Sequence, residues 1–142
     1  MSRFDRTLSV REEAVVAIVT DTDIVVARHK SRELSGKLGF SYVDLTLIAT
    51  AVSELARNIV QYGGKGEIQL RIVDNGTKSG IVVVAADHGK GIVDIPRALQ
   101  DGYSTSGSLG LGLPGTRRLM DEFEIVSAPG KGTTVTVKKW KR

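Results

Sequence analysis

The sequence predicts an α+β fold, a two-layer sandwich with helices gathered on one face of a mixed, mostly antiparallel sheet. Three observations predict it. Two helical blocks follow each other between residues 22 and 64 with no strand between them; strands pair off across short turns at 75–80 and 129–132; and 142 residues suffice for one core. Alternating strands and helices, the mark of a parallel sheet, are missing from that order, so we expect a single domain spanning 1–142.

The elements follow in turn. "EEAVVAIVT" (12–20) is rich in β-branched and apolar residues and reads as a first strand. From Thr22 to Leu38 a helix follows, with Thr22 or Asp21 as cap, a stripe of Ile24, Val25, Leu34 and the stem of Arg28, and Gly39 closing it. "SYVDLTLIATAVSELARNIVQYGG" (41–64) is a long helix, capped by Ser41 with Asp44 three residues on and ended by Gly63-Gly64. Its stripe is Ile48, Ala51, Val52, Leu55, Ile59 and Tyr62. "EIQLRIVD" (67–74) alternates apolar with polar, and "GIVVVAAD" (80–87) is solidly apolar; "NGTKSG" turns between them. A short helix around 95–99, a glycine-rich stretch, a helix over 111–123, and strands at 124–129 and 133–140 complete the order β-α-α-β-β-α-α-β-β.

Composition excludes several functions. Cysteine is absent, which rules out disulfides and thiolate metal sites and suits a reducing compartment. No run approaches the ~18 apolar residues of a membrane span and no signal-like segment opens the sequence, so a cytoplasmic protein without membrane association is expected. The formal charge is +4, part of it in Lys138, Lys139, Lys141 and Arg142, but aromatics for base stacking make up 5%. We therefore expect no nucleic-acid partner and read the terminal lysines as a solvated basic edge or a phosphate-attracting field.

Four local patterns could carry chemistry. Glu54 and Asn58, spaced i,i+4, share one helix face with Gln61 beyond them, bordering the buried stripe. A carboxylate and an amide so placed suit a general base and a Mg²⁺ ligand, or else an ordinary polar helix face. "DHGKGI" puts Asp87 at a strand end beside Gly89 and Gly91; glycines there admit a flat ligand close to the backbone, and the carboxylate can accept from an exocyclic amine, although Asp and Gly also make plain turns. "TSGSLGLGLPG" (105–115) contains G-x-G-x-x-G, but no strand precedes it and no acid follows at the right distance, so a dinucleotide fingerprint fails; no Walker motif occurs either. A glycine lid entering a helix N-terminus, a place for polyphosphate, survives. Lastly, "PGKGTTV" sets Gly130, Lys131, Gly132 and Thr133 in a hairpin where a hydroxyl could help fix a purine. His29 and His88 stand alone, without metal spacing.

Taken in order, these four patterns resemble the GHKL ATPase superfamily, which includes gyrase, MutL and the histidine kinases. "SELARN" is similar to its N box, "DHGKG" to its G1 box, "GSLGLGL" to its G2 box and "GKGTT" to its last glycine box, over Thr20 to Val137. The resemblance implies the Bergerat ATP-binding fold, with ATP and Mg²⁺ as cofactors. It implies that Asp87 accepts the adenine amino group, with Gly89 and Gly91 giving close approach and Thr133 supporting the purine. Asn58 would hold Mg²⁺; Gly107, Gly110 and Gly112 would close over the phosphates; and Glu54 would orient or deprotonate the attacking hydroxyl. Arg57, Lys90 and Lys131 are candidates for phosphate or partner contacts, or simply exposed.

Within the superfamily, 142 residues leave no room for transducer domains or an acceptor-histidine hairpin. The sequence resembles the stand-alone branch, bacterial serine/threonine kinases that phosphorylate STAS-domain proteins and regulate sigma factors, and within it the stressosome switch kinases. That implies STAS-domain scaffold and antagonist proteins as substrates, and a PP2C-type phosphatase with an activator-binding region as the partner bound after release. The alternative is a nucleotide-dependent anti-sigma factor or binding module that sequesters its partner.

Overall fold

The computed structural model describes residues 8–89 and 112–142. The expected short helix at 95–99, and with it Lys90, Gly91, Gly107 and Gly110, lies outside the described residues. Five strands form one sheet: β1 (Ser9–Ile18), β2 (Gly66–Asp74), β3 (Ser79–Asp87), β4 (Glu122–Ser127) and β5 (Thr133–Trp140). Their order is β1-β2-β3-β5-β4 and every described pairing is antiparallel. Thus β5 inserts between β3 and β4. The helices α1 (Asp21–Leu38), α2 (Tyr42–Asn58) and α3 (Gly112–Leu119) are the second layer, giving the expected α+β sandwich.

The core lies between the layers. Ile18, Ile68, Leu70, Ile81, Val83 and Val137 are fully buried on the helix-facing side of the sheet, against Ile24, Ala27 and Leu34 of α1 and Ile48, Val52 and Leu55 of α2. Each such side chain stabilises the fold by roughly 1.5–3 kcal/mol through area removed from water.

Helix starts follow side-chain acceptors. The α2 cap is as expected: Ser41 Oγ accepts from the Asp44 N–H at 3.1 Å. At α1 the cap is Thr20, one or two residues earlier than predicted, because the Asp23 carboxylate accepts from the Val19 and Thr20 N–H groups at 2.8 and 3.0 Å. Those bonds, the Thr20 one foremost, hold the Asp23 carboxyl below its ordinary range. The buried stripe of α1 also differs, running through Ile24, Ala27, Ser31, Leu34 and Ser35, while Val25 and Arg28 face outward. Small residues let α1 lie close to its neighbours, so the larger valine was a poor guide to the buried side. Gly39 closes α1 in the left-handed region at φ 88°.

Two further departures share a cause at the sheet edge. Helix α3 ends at Leu119 rather than continuing to Phe123, because Asp121 turns the chain: its N–H donates to Lys138 O at 2.9 Å and its carboxylate accepts from the Trp140 N–H at 2.8 Å. Glu122 and Phe123 then enter β4, with Phe123 opposite Val137. Nor are all the terminal lysines a solvated edge. Lys138 and Lys139 are buried, 3% and 6% exposed, and only Lys141 and Arg142 face water. Lys138 Nζ lies 3.7 Å from Glu122 and 5.3 Å from the Trp140 ring centroid. Lys139 Nζ donates to Leu119 O at 2.9 Å and lies 3.7 Å from Asp121, tying the end of α3 to β5.

Candidate functional site

One end of the sheet carries a transverse row on the helix-facing side. Register places Ile18 beside Gly66, Gly66 beside Asp87, Asp87 beside Thr133 and Thr133 beside Ser127, across all five strands. The sequence singled out Asp87 and Thr133 separately; pairing makes them neighbours. The Ser127 hydroxyl donates to Gly132 O at 3.0 Å and lies 2.7 Å from Thr133 Oγ1, which fixes the threonine hydroxyl at the row's end.

Four glycines ring Asp87. A Cβ on Gly63 would stand 2.5 Å from the Asp87 Cβ and Cγ, one on Gly132 would stand 2.1 Å from the Asp87 carbonyl oxygen, one on Gly66 2.1 Å from Ala86 O, and one on Gly89 2.7 Å from the Gly63 Cα. No side chain fits at any of these places. The carboxylate is aimed by a single bond, its Oδ1 accepting from the Gly89 N–H at 2.8 Å. Among the described residues nothing donates to its second oxygen, which keeps acceptor capacity. An acceptor in a cradle without side chains suits the edge of a flat heterocycle. Gly63 and Gly66 were missed as site residues because both stand where glycines end helices and begin strands; two more glycines just before the apolar strands were the available signal.

The helix that supplies the polar pair changes character beside the row. After Asn58 the chain continues as one π-helical turn, Ile59–Gly63, which delivers Gly63 against Asp87. A π turn holds an extra residue and is common at functional sites. It also resets the helical phase, which is why Gln61 and Tyr62 are exposed, contrary to the expectation that Gln61 borders the core and Tyr62 joins the stripe.

Glu54 is buried, 8% exposed, and its carboxylate joins two elements: Oε1 accepts from Arg57 Nη1 at 2.7 Å, and Oε2 accepts from the Gly112 N–H at 3.4 Å. Gly112 is in the left-handed region at φ 64° and opens α3. The expected lid-to-helix junction therefore abuts the carboxylate rather than standing apart from it. Asn58, one turn beyond Glu54, is half-buried with no described partner for its amide. An amide oxygen is a hard donor that fits Mg²⁺, and among the described residues no group of three His, Asp or Glu offers a rival protein-only site. His29 and His88 are exposed. Lys131 is exposed in the hairpin, its N–H donating to Ala128 O at 3.0 Å.

On the other side of Glu54 a groove of about 530 Å³ runs between α1 and α2, lined by Arg28, His29 and Arg32 from the first and Thr50, Ser53, Glu54 and Arg57 from the second. Of these the sequence had singled out Glu54 and Arg57 as site candidates, Arg28 as a stem in the helix stripe and His29 as a lone histidine. The arrangement thus has a glycine-ringed carboxylate at the end of the sheet and a buried carboxylate bordering a polar groove.

Residues 17–139 match the family model for the histidine kinase-like ATPase domain. The chain is 49% identical over 131 residues to the serine/threonine-protein kinase RsbT of Bacillus subtilis, covering 92% of this chain and 98% of that one. It is 38% identical over 99 residues to the anti-sigma F factor of Thermoanaerobacter sp. (strain X514), covering 66% of this chain and 68% of the relative. Among solved structures it resembles the RsbU and RsbW domains of a Mycobacterium tuberculosis protein, with TM-score 0.64 and 20% identity over 93% of this chain; the chain spans 33% of that structure's length. A mycobacterial sensor histidine kinase, MprB, aligns with TM-score 0.54 and 16% identity, over 94% of this chain and 99% of that one.

Proposed function

Because this chain belongs to the histidine kinase-like ATPase family, with residues 17–139 inside it, we propose that it is a serine/threonine protein kinase that passes the γ-phosphoryl group of ATP to STAS-domain proteins of a bacterial partner switch. What carries the reading is a glycine-ringed Asp87 together with a buried Glu54 on the helix whose π-helical end packs against that ring, in a chain 49% identical to a serine/threonine-protein kinase. After transfer, in this reading, it leaves its scaffold and activates a PP2C-type phosphatase in the cytoplasm.

Each residue has a role that its surroundings support. Asp87 accepts from the adenine amino group through its second oxygen, while the Gly89 N–H holds the first. Gly63, Gly89 and Gly132 let backbone pack directly around Asp87, so none of the three sets a side chain beside its carboxylate. Thr133, steadied by Ser127, supplies a hydroxyl to the same edge. In this reading Gly91 gives the ring close approach and Gly107 and Gly110, with Gly112, close over the phosphates; of these four, Gly112 alone lies among the described residues. Asn58 would hold Mg²⁺, which when bound would neutralise phosphate charge. Glu54 takes the proton of the serine or threonine hydroxyl as that oxygen bonds to the γ-phosphorus and the bond to the β-phosphate oxygen breaks, releasing ADP. Arg57 and the Gly112 N–H aim the carboxylate, and lone pairs remain for that proton. Phosphoryl transfer requires mostly such positioning and charge neutralisation.

The test is Asp87→Asn, which puts a donor where the carboxylate accepted. Mg-ATP titrated calorimetrically should give no measurable binding, and STAS-domain proteins incubated with the variant should keep their unmodified mass while wild type adds a phosphoryl group. Unchanged affinity would refute the assignment. A second reading, sequestration of a sigma factor, is favoured by the 38% identity to an anti-sigma F factor. It forecasts partner capture without phosphoserine or phosphothreonine.

A further inference from the structure

We infer that Lys139, at the opposite end of α3 from Glu54, is a positioning residue for phosphoryl transfer: it pins that end of the helix so that the other, the Gly112 N–H, stays on the Glu54 carboxylate. The catalytic half of the inference rests on the kinase reading above; the pin rests on geometry. Helix α3 does not hold its place unaided. It has eight residues, and Gly112, Pro114 and Gly115 are among them, a length and composition that leave an isolated helix unstable in water. Its order has to come from what grips it.

Both grips lead to α2. At the start of α3, Glu54 Oε2 accepts from the Gly112 N–H at 3.4 Å. At its finish, the Lys139 ammonium donates to Leu119 O at 2.9 Å and lies 4.0 Å from the carboxylate of Asp44, in the first turn of α2. Asp44 and Glu54 stand about 15 Å apart along α2, and α3 is about 12 Å long. The two helices therefore run antiparallel between two pins, one made by Glu54 directly and one made through the lysine. Charge matches at both: a carboxylate meets the positive N-terminal end of α3 and an ammonium its negative C-terminal end. Between the pins Thr116 is buried, and its Oγ1 donates to Gly112 O at 2.9 Å, so the turn that carries Gly112 moves with the rest of the helix. Lys139 itself is 6% exposed, with Asp121 at 3.7 Å as a third acceptor. Taking an ammonium out of water is costly, and such a satisfied one is a fixed point from which a helix can be held.

The test compares the full wild-type chain with Lys139→Met, which keeps a long side chain and loses its charge. Amide hydrogen exchange without nucleotide should speed up at least about tenfold more in α3 than in β2, which lies two strands away from β5 in the sheet. In single turnovers with saturating Mg-ATP and a STAS-domain protein, the maximal rate should fall about tenfold while the half-saturating concentration of that protein stays put. Made in a Glu54→Gln chain, the same substitution should cost less than about twofold, because no carboxylate remains to be aimed. Asp44→Asn, which loosens the lysine from α2, serves if Lys139→Met does not fold, with the same pattern at smaller size. Exchange that rises alike in α3 and β2, a loss of rate that keeps its full size in Glu54→Gln, or an effect confined to the half-saturating concentration would each overturn the inference. Exchange is read without phosphoryl transfer. A wild type that phosphorylates no STAS protein therefore sinks the kinase reading and leaves the pin, and transfer by a chain whose α3 is indifferent to Lys139 does the opposite.

Discussion

At the scale of single residues, Glu54 and Asp87 differ in environment. Glu54 is buried and takes one charged and one backbone donor, whereas Asp87 is half-buried, takes one backbone donor and keeps an oxygen to spare. Glu54→Gln should therefore bind Mg-ATP with wild-type affinity in calorimetry but transfer phosphate at least ~100-fold more slowly in a single-turnover assay, the usual scale for a lost general base. A comparable loss of nucleotide affinity would show that the side chain serves binding instead. Gly63→Ala probes the cradle from the opposite side. Its methyl group would overlap the Asp87 Cβ and Cγ at 2.5 Å, so Mg-ATP affinity should drop at least about tenfold, even though Gly63 contributes no polar atom to a ligand.

Elements explain what could be read in advance and what could not. The strands at β2, β3 and β5 fall within a residue of their expected bounds because alternation and apolar runs are local properties of the chain. The stripe Ile48, Ala51, Val52, Leu55 and Ile59 was equally legible, and all five are buried. What failed was decided by distant partners. The end of α3 depends on Asp121 meeting Trp140, and the burial of Lys138 and Lys139 depends on Glu122 and on Leu119 O. The candidate site shows the same division: the order of Glu54, Asn58, Asp87 and Thr133 is written in the chain, but the ring of glycines and the Arg28–Arg32 groove exist only after folding. Gly132 illustrates the cost of such close packing. At φ 81°, with its missing Cβ 2.1 Å from the Asp87 carbonyl, Gly132→Ala should lower stability by roughly 1–3 kcal/mol, read as a shift of the urea midpoint at constant slope.

For the whole molecule, the junction at Asp121 links layers and sets an acid limit. Burial pushes its carboxyl up, but the Trp140 N–H, Lys139 and Arg142 outweigh burial and hold it below the ordinary 3.8. A carboxyl depressed in the folded state stabilises the fold at neutral pH, and that contribution drains away as pH falls from about 5 through the folded value. Asp121→Asn should accordingly cost about 1–3 kcal/mol near neutrality, since hydrogen bonds to a charged group are lost, and the penalty should shrink on acidification. Thermal melts of both proteins at neutral and acidic pH check it; a penalty independent of pH would mean that shape, not charge, matters there.

The insertion of β5 between β3 and β4 has a consequence in time as well as in space. Asp87 is made early, yet the neighbour that gives it Thr133 and the backbone of Gly132 is synthesised after every other strand of this sheet. A ribosome that has delivered β1 through β4 has delivered Asp87 without the strand that pairs with it, so a chain stopped short of β5 holds the transverse row only in part.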